Sequence, residues 1–548
     1  MIRQRLGLVP LLGLAVLLAG CVGIPTSGSV QSAEIKVDSD ENPQVSLPDH
    51  PTSGQSQEEI LQGFIRAGRG PQNGFNVAKE FLAPKAEWSG TAQVLITSSA
   101  IAPVRTGEDT LTITVDVTAE VDATGRYVAL AVPSTQTLTY VFSVVDGENR
   151  ILTAAPGIVL TPGGFTGAFD SHPLYFFDPS FRYLVPDLRW FPAVRAAADR
   201  IVSELLTGPS PLISSPVTIS AFPLGTVGQA DLAAPRVSVD LSASVGAESP
   251  ITQRRMIQQL TASLVTLPNV GEVVVTAGGL SLAPAPESLI PDSQYQVRDP
   301  IGEVNGQFGT IVLDGITALP SIGNRIDALQ PVAVSLSRTR DTAVVLGAGG
   351  VSIVGPTGDP VVVDKRPGLV TPTIDPQGYA WSVPANQPDG LIAVGADGTS
   401  HSVPLDADGT VIAIELSRDG TRLLAGLSTP DGPRLFVAGV QRDANLAPVA
   451  LSSPLELRQS DPILDVAWLD GSTVAILSAG VAGSRVDVIP LGGPEVSLGP
   501  VENGVQIVGG NLQEGLRVLS SDGSVLRPSS AGGWVNTGFR ASFLGTQQ

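Results

Sequence analysis

Three histidines, His50, His172 and His401, are the only imidazoles in the chain. None lies within helical or hairpin reach of another, so neither an HExxH pair nor a local zinc site can be built from them. No serine sits in a GxSxG elbow, and no GxxxxGK loop is present to cradle phosphate. Asp406-Ala407-Asp408-Gly409 opens like a calcium loop, but the twelfth position holds Ser417 where a glutamate is needed. That segment therefore reads as a tight turn between strands. Asp240, a lone acid closing a strand, reads as structural. These absences point away from catalysis: no catalytic, cofactor-binding or metal-binding residues are expected, and the protein reads as a non-enzyme. One reactive side chain remains, Cys21, the only cysteine. A single thiol rules out intramolecular disulfides, zinc ribbons and CxxC redox chemistry.

Cys21 has an informative setting. Arg3 and Arg5 form a short positive region, followed by the apolar run Leu6 to Ala19. As a helix that run rises about 21 Å, too short for a hydrocarbon core of about 30 Å but suited to a signal-peptide core. It closes with Leu18-Ala19-Gly20-Cys21, which resembles the lipobox of bacterial lipoproteins. The resemblance implies that residues 1–20 are a signal peptide, cleaved before Cys21, and that the Cys21 thiol carries lipid. It places the protein on the outer face of the cytoplasmic membrane, lipid-anchored, with palmitate-type chains adding about 0.8 kcal/mol of membrane affinity per CH₂. No other stretch reaches 18 uninterrupted apolar residues, so no second membrane span is expected.

Composition constrains the chain beyond the anchor. Sixty glycines and 45 prolines in 548 residues, with only 15% charged residues, favour many short strands and turns over long helices. The net charge of −20 would repel a polyanion, so no nucleic acid partner is expected. Residues 21–57, with Pro25, Pro43, Pro48 and Pro51 among Ser, Gly and acids, read as a flexible tether with a reach of about 35 Å.

Residues 58–160 read as a small α+β domain. Glu58 to Ala67 places Ile60, Leu61, Phe64 and Ile65 on one helical face, and Pro71 opens a second short helix ending near Leu82. Strands are expected at 92–99, 110–121, 126–132 and 136–145, the second with the clearest alternation. The order helix, helix, sheet resembles nuclear-transport-factor-like or cystatin-like folds. Residues 165–285 form a second α+β unit, with helices after Pro192 and over 251–266 and strands near 216–221, 236–241 and 271–277. Its first stretch, Phe165 to Phe191, holds nine of the chain's 26 aromatics. Packing between domains and a carbohydrate platform, with Tyr175 and Trp190 as its stacking rings, are both open. Leu205-Leu206-Thr207-Gly208-Pro209-Ser210, Val237-Ser238-Val239-Asp240-Leu241-Ser242 and Leu267-Pro268-Asn269-Val270 are similar to a GerMN domain, a module of envelope and spore-germination proteins.

From about residue 300 the pattern is pure β, with Asp/Gly turns at Asp375, Asp408, Asp419, Asp470 and Asp522. Val334-Ser335-Leu336-Ser337-Arg338 is echoed by Ile414-Glu415-Leu416-Ser417-Arg418, and spacings of ~40 residues suit four-stranded blades. Residues 300–548 are thus expected to form a β-propeller of five or six blades. Lipobox, tether, two small α+β domains and propeller, in this order, resemble the actinobacterial LpqB lipoprotein family. That resemblance implies a non-enzymatic accessory regulator of a two-component sensor kinase (MtrB-like), contacting its extracytoplasmic domain and affecting cell-wall homeostasis and division. The alternative is a cell-envelope glycan-binding lipoprotein.

Overall fold

The structure, a computed structural model, describes residues 48–547 except 100, 195–196, 283–298, 313–314, 481–482, 510–511 and 531. The expected signal peptide, Cys21 and most of the expected tether lie outside the described residues. The last part of that tether is not free chain. Ser53 Oγ and Gly54 N–H donate to Glu148 at 2.5 and 2.8 Å, and Gln55 O accepts from Asn149 Nδ2 at 2.8 Å. Ser56 then caps helix α1 (Gln57–Ala67) through a complete capping box with Glu59.

α1 buries Ile60, Leu61 and Phe64, and Gly63 admits the Phe81 ring so closely that a Cβ would lie 2.3 Å from it. Helix α2 (Gln72–Glu80) follows, with left-handed backbone at Asn73 to Phe75. Both helices cover a six-stranded sheet of β1 (Gln93–Thr97), β2 (Val104–Gly107), β3 (Thr110–Asp122), β4 (Tyr127–Val145), β5 (Glu148–Thr153) and β6 (Ile158–Leu160). The order is β5-β4-β3-β1-β6, with β2 on β3. Along β3, Leu111, Ile113, Val115 and Val117 are all fully buried, as their alternation requires. The two strands expected at 126–132 and 136–145 are one continuous strand, β4, because β3 is long enough to pair with both halves.

A short helix α3 (Pro162–Ala168) leads into the hairpin β7 (Phe169–Phe177) and β8 (Leu184–Pro192). The second module continues with α4 (Ala197–Thr207), β9 (Gly228–Ala233), β10 (Arg236–Leu241), α5 (Pro250–Leu264), β11 (Glu272–Ala277) and β12 (Leu280–Ser281). β10 and β11 are parallel, so α5 makes the crossover between them. Ile201, Leu205, Leu260 and Leu264 pack on Val237, Val239 and Val275. No strand forms at 216–221; Ile219 makes only an isolated bridge to Phe177.

The C-terminal region is a six-bladed propeller. Five sheets occupy 333–364, 373–402, 410–457, 463–501 and 504–540 in turn. The sixth is built from both ends of the region: Phe543–Gln547 pairs with Ile301–Val304, followed by Gln307–Val312 and Gly315–Ala318. This closure joins the chain end to the start of the ring, which removes an open edge.

Candidate functional site

The aromatic hairpin β7–β8 is where the three modules meet. Phe165 packs on Trp190 (4.7 Å between centroids), on Phe169 (5.4 Å) and on Tyr127 (5.8 Å). Trp190 Nε1 donates to Gly492 O of the propeller at 2.7 Å. Phe176 and Phe177, at the far end of β7, join the core of the second module. Tyr175 is tied by its backbone N–H to Ser263 Oγ at 3.0 Å, and burial and Asp470 push its phenol up. These rings therefore pack modules together, with Tyr175, Phe181 and Trp190 only partly buried.

Polar groups complete the junction. Arg189 and Asp187 form a buried ion pair at 2.7 Å. Arg189 also donates to Thr124 O and Oγ1, both at 3.1 Å, on the β3–β4 turn, while Asp187 accepts from Ser210 N at 2.7 Å. Leu212, just beyond, packs into the propeller core beside Leu424 and Leu435. Gly439 on the propeller makes this possible, since a Cβ there would sit 2.5 Å from Leu212 O.

Beside the junction, a cavity of about 340 Å³ lies between the N-terminal sheet and α4, walled by Phe75, Val94, Val121, Phe169 and Phe191. Its polar edge is already occupied: Arg200 donates to Ala123 O and pairs with Glu204 at 3.0 Å. At Asp122 burial raises the carboxyl, but the Thr124 hydroxyl and the Arg126 and Thr124 N–H groups outweigh it and hold it below its ordinary range. Among the described residues its walls are mostly apolar, with Thr91, Asp199 and Ser203 adding to the polar edge.

The propeller's first strands line its axis and pass side-chain acceptors from blade to blade. Thr373 Oγ1 accepts from Leu416 N at 3.4 Å, Glu415 Oε2 from Trp468 N at 3.0 Å, Asp465 Oδ2 from Ile507 N at 2.8 Å, and Gln506 Oε1 from Leu544 N at 2.8 Å. Each bond satisfies an amide that would otherwise be left open on a strand edge. Burial, with Asp465 nearby, pushes Glu415 up to about 8, against the Trp468 N–H and Arg418 that favour its charged form. Burial pushes Asp465 up to about 7 despite two backbone N–H donors. Buried pairs Asp375–Arg442 (2.8 Å) and Asp419–Arg422 (2.5 Å) anchor neighbouring turns.

The residues singled out in the sequence are scattered. Cys21 lies outside the described residues. His50 bonds to Glu80 at 2.7 Å near the start of the first module. His172 is buried against Phe191, and His401 meets Tyr379 edge-on in the second blade. Asp240 accepts from Thr276 Oγ1 at 2.5 Å and Gly279 N at 2.9 Å, joining β10 to the turn after β11. Asp406 and Asp408 lie in the loop before the strand Thr410–Leu416. Among the described residues no group of three or more His, Cys, Asp or Glu is placed to hold a metal ion, and no helix is long and apolar enough to cross a membrane. Glu415 and Arg189 escaped sequence reading. A lone acid within the apolar strand Val411 to Leu416 was the available signal for Glu415; Arg189 had none.

Two α+β modules bolted to a six-bladed propeller define a multidomain propeller protein. Family models bear out that order: residues 50–166 match "Lipoprotein LpqB, N-terminal domain", 173–283 match "Sporulation and spore germination" (the GerMN module), and 306–539 match "Lipoprotein LpqB beta-propeller domain". The chain belongs to the LpqB lipoprotein family, whose two named domains cover more than half of it. Lipoprotein LpqB of Cutibacterium acnes is 28% identical over 322 residues, 55% of this chain and 54% of that one. The chain thus spans a little over half the length of that relative. Lipoprotein LpqB of Streptomyces coelicolor is 25% identical across 95% of this chain and 94% of its own. The tandem GerMN domains of the sporulation protein GerM from Bacillus subtilis share 15% identity at a TM-score of 0.19, over 37% of this chain and 64% of that one. The matched relatives bear the name of a lipoprotein and no catalytic family is among the models, while membership of a lipoprotein family implies membrane association.

Proposed function

We propose that this protein is a non-enzymatic accessory regulator of a two-component sensor kinase (MtrB-like), anchored through lipid on Cys21 at the outer face of the cytoplasmic membrane, with effects on cell-wall homeostasis and division. The partner comes from the family resemblance. The observation that carries the mechanism is the junction: Arg189, Trp190 and Leu212 tie three modules into one body. A body of this kind can transmit contact at one module to a partner as a fixed shape. It would bias the kinase only by binding its two signalling states with different affinity.

The test is reconstitution of the full-length lipoprotein with the kinase in proteoliposomes. Binding to the kinase ectodomain and a changed autophosphorylation rate are expected; loss of both would remove this reading. The anchor is tested separately by metabolic labelling with a palmitate analogue, which Cys21→Ala should abolish.

A further inference from the structure

β4 runs for 19 residues without one charged side chain, in a chain that is 15% charged. β3 pairs with it along one side, at 127–129 and 134–141. On its other side β5 pairs only with 141–145. Among the described residues no strand pairs with 127–140 on that second side, so alternate N–H and C=O groups there form an unpaired edge. Thr135, Thr137 and Thr139 are exposed along it, and Val132 is 78% exposed. Natural edges are blunted by lysines, by charges turned inward or by a covering helix. This edge carries no charge, and Pro133, with the 130–133 bulge against β3, interrupts it only at one end.

The run 134–140 amounts to about 23 Å of strand. Both of its ends are closed. β5 begins at the level of Val141, and beyond the bulge Val128 and Ala129 share a cavity of about 260 Å³ with Leu455 and Leu457 of the propeller. A second copy fits this slot badly. Symmetric antiparallel pairing centred on Thr137 would set 141–145 of one copy against 129–133 of the other. The β5 already paired there would then occupy the space of its neighbour's β4. A single extended segment, carrying no second sheet, has no such conflict.

The two faces of an added strand would meet different chemistry. On the outer face lie the hydroxyls of Thr135, Thr137 and Thr139, and Thr135 Oγ1 donates to Asp116 at 2.7 Å. On the face turned to the core lie Gln136 and Leu138, the latter partly buried against that core. Gln136 Nε2 donates to Glu120 at 2.9 Å. Neither Asp116 nor Glu120 belongs to an ion pair among the described residues. The cations bordering the slot are already matched, Arg150 beside Glu148 and Arg458 beside Glu495. Two uncompensated carboxylates beside an uncharged edge, in a chain of net charge −20, select a basic strand over an acidic one. Apolar residues alternating with the basic ones would lie on Leu138.

We propose that the edge of β4 at 134–140 takes an extended basic peptide segment of another protein as an added strand, its backbone completing the ladder and its basic residues facing Asp116. The site is independent of the kinase reading. It is tested by hydrogen exchange on the full-length chain in detergent with heptapeptides: alternating Lys and Val, alternating Glu and Val, and the Lys/Val peptide with its central Val replaced by proline. The last keeps the charge but lacks a ladder N–H. In the free chain, amides on the open side of 134–140 should exchange fast, and the Lys/Val peptide should slow them about tenfold. The Glu/Val and proline peptides should leave them unchanged. Thr137→Lys, at an exposed position, should weaken the Lys/Val peptide about tenfold at unchanged melting temperature, and Asp116→Asn should weaken it as well. Slow amides in the free chain, as a second copy or another part of this chain on the edge would produce, would overturn the proposal. So would equal protection by the proline peptide, or indifference to Thr137→Lys.

Discussion

Arg189 and Asp187 pair at 2.7 Å inside the protein, and the same guanidinium reaches across to Thr124 on another module. A buried ion pair is costly to desolvate, so its value lies less in net stability than in what happens when one partner is lost. Asp187→Ala would leave Arg189 buried without its bonded carboxylate, only Glu204 remaining nearby, and would free Ser210 N–H. We expect a loss of about 3–5 kcal/mol, read as a lower urea midpoint. Replacing both residues, Arg189→Met with Asp187→Leu, should cost clearly less than the single change. Equal losses would mean that the pair has no special role.

The propeller axis should make stability depend on pH. Glu415 rises from its ordinary 4.5 to about 8 in the folded state, and Asp465 from 3.8 to about 7. The folded protein therefore holds protons that the unfolded chain has released. This contribution is fully present below the unfolded values and is lost as pH rises toward 7 to 8, with a slope of about 1.4 kcal/mol per pH unit for each group. Urea midpoints at pH 5 and pH 8 should differ accordingly. Glu415→Gln should remove its share of the slope; a variant running parallel to the parent would refute the assignment.

Gly439 is predicted to be intolerant of any side chain. A Cβ at that position would lie 2.5 Å from Leu212 O and 2.7 Å from the Val217 side chain. Gly439→Ala should cost about 1–3 kcal/mol by pushing the GerMN module off the propeller. Limited proteolysis near 208–217 should speed up while the propeller stays resistant; an unchanged digest would count against this contact.

The start of the first module offers a smaller, cleaner test. Ser56 Oγ accepts from Glu59 N at 3.2 Å, and the Glu59 carboxylate accepts in return from Ser56 N at 2.8 Å. Ser56→Ala should cost about 1 kcal/mol, seen as a lower thermal midpoint, and Ser56→Asp should recover most of it.

Much of this protein can be read from local patterns. The lipobox-like run, the alternation of β3, the helix over Pro250–Leu264 and the Asp/Gly turns of the propeller all express short-range rules of length, period and turn chemistry. The paired echoes at Ser337-Arg338 and Ser417-Arg418 announced repeated blades for the same reason. Local rules stop where partners are distant. Nothing near Trp190 says that its indole will meet Gly492, because that contact joins residues hundreds of positions apart, or that six of the nine clustered aromatics will turn inward. The blade count rested on Phe543–Gln547 returning to Ile301–Val304, a pairing that no spacing reveals. Sequence alone determined the lone cysteine in its lipobox-like setting, the exclusion of thiolate chemistry and the order of modules. Tertiary structure decided how the modules lock and which acids lose their water, since both depend on desolvation and geometry created only when distant strands close on one another.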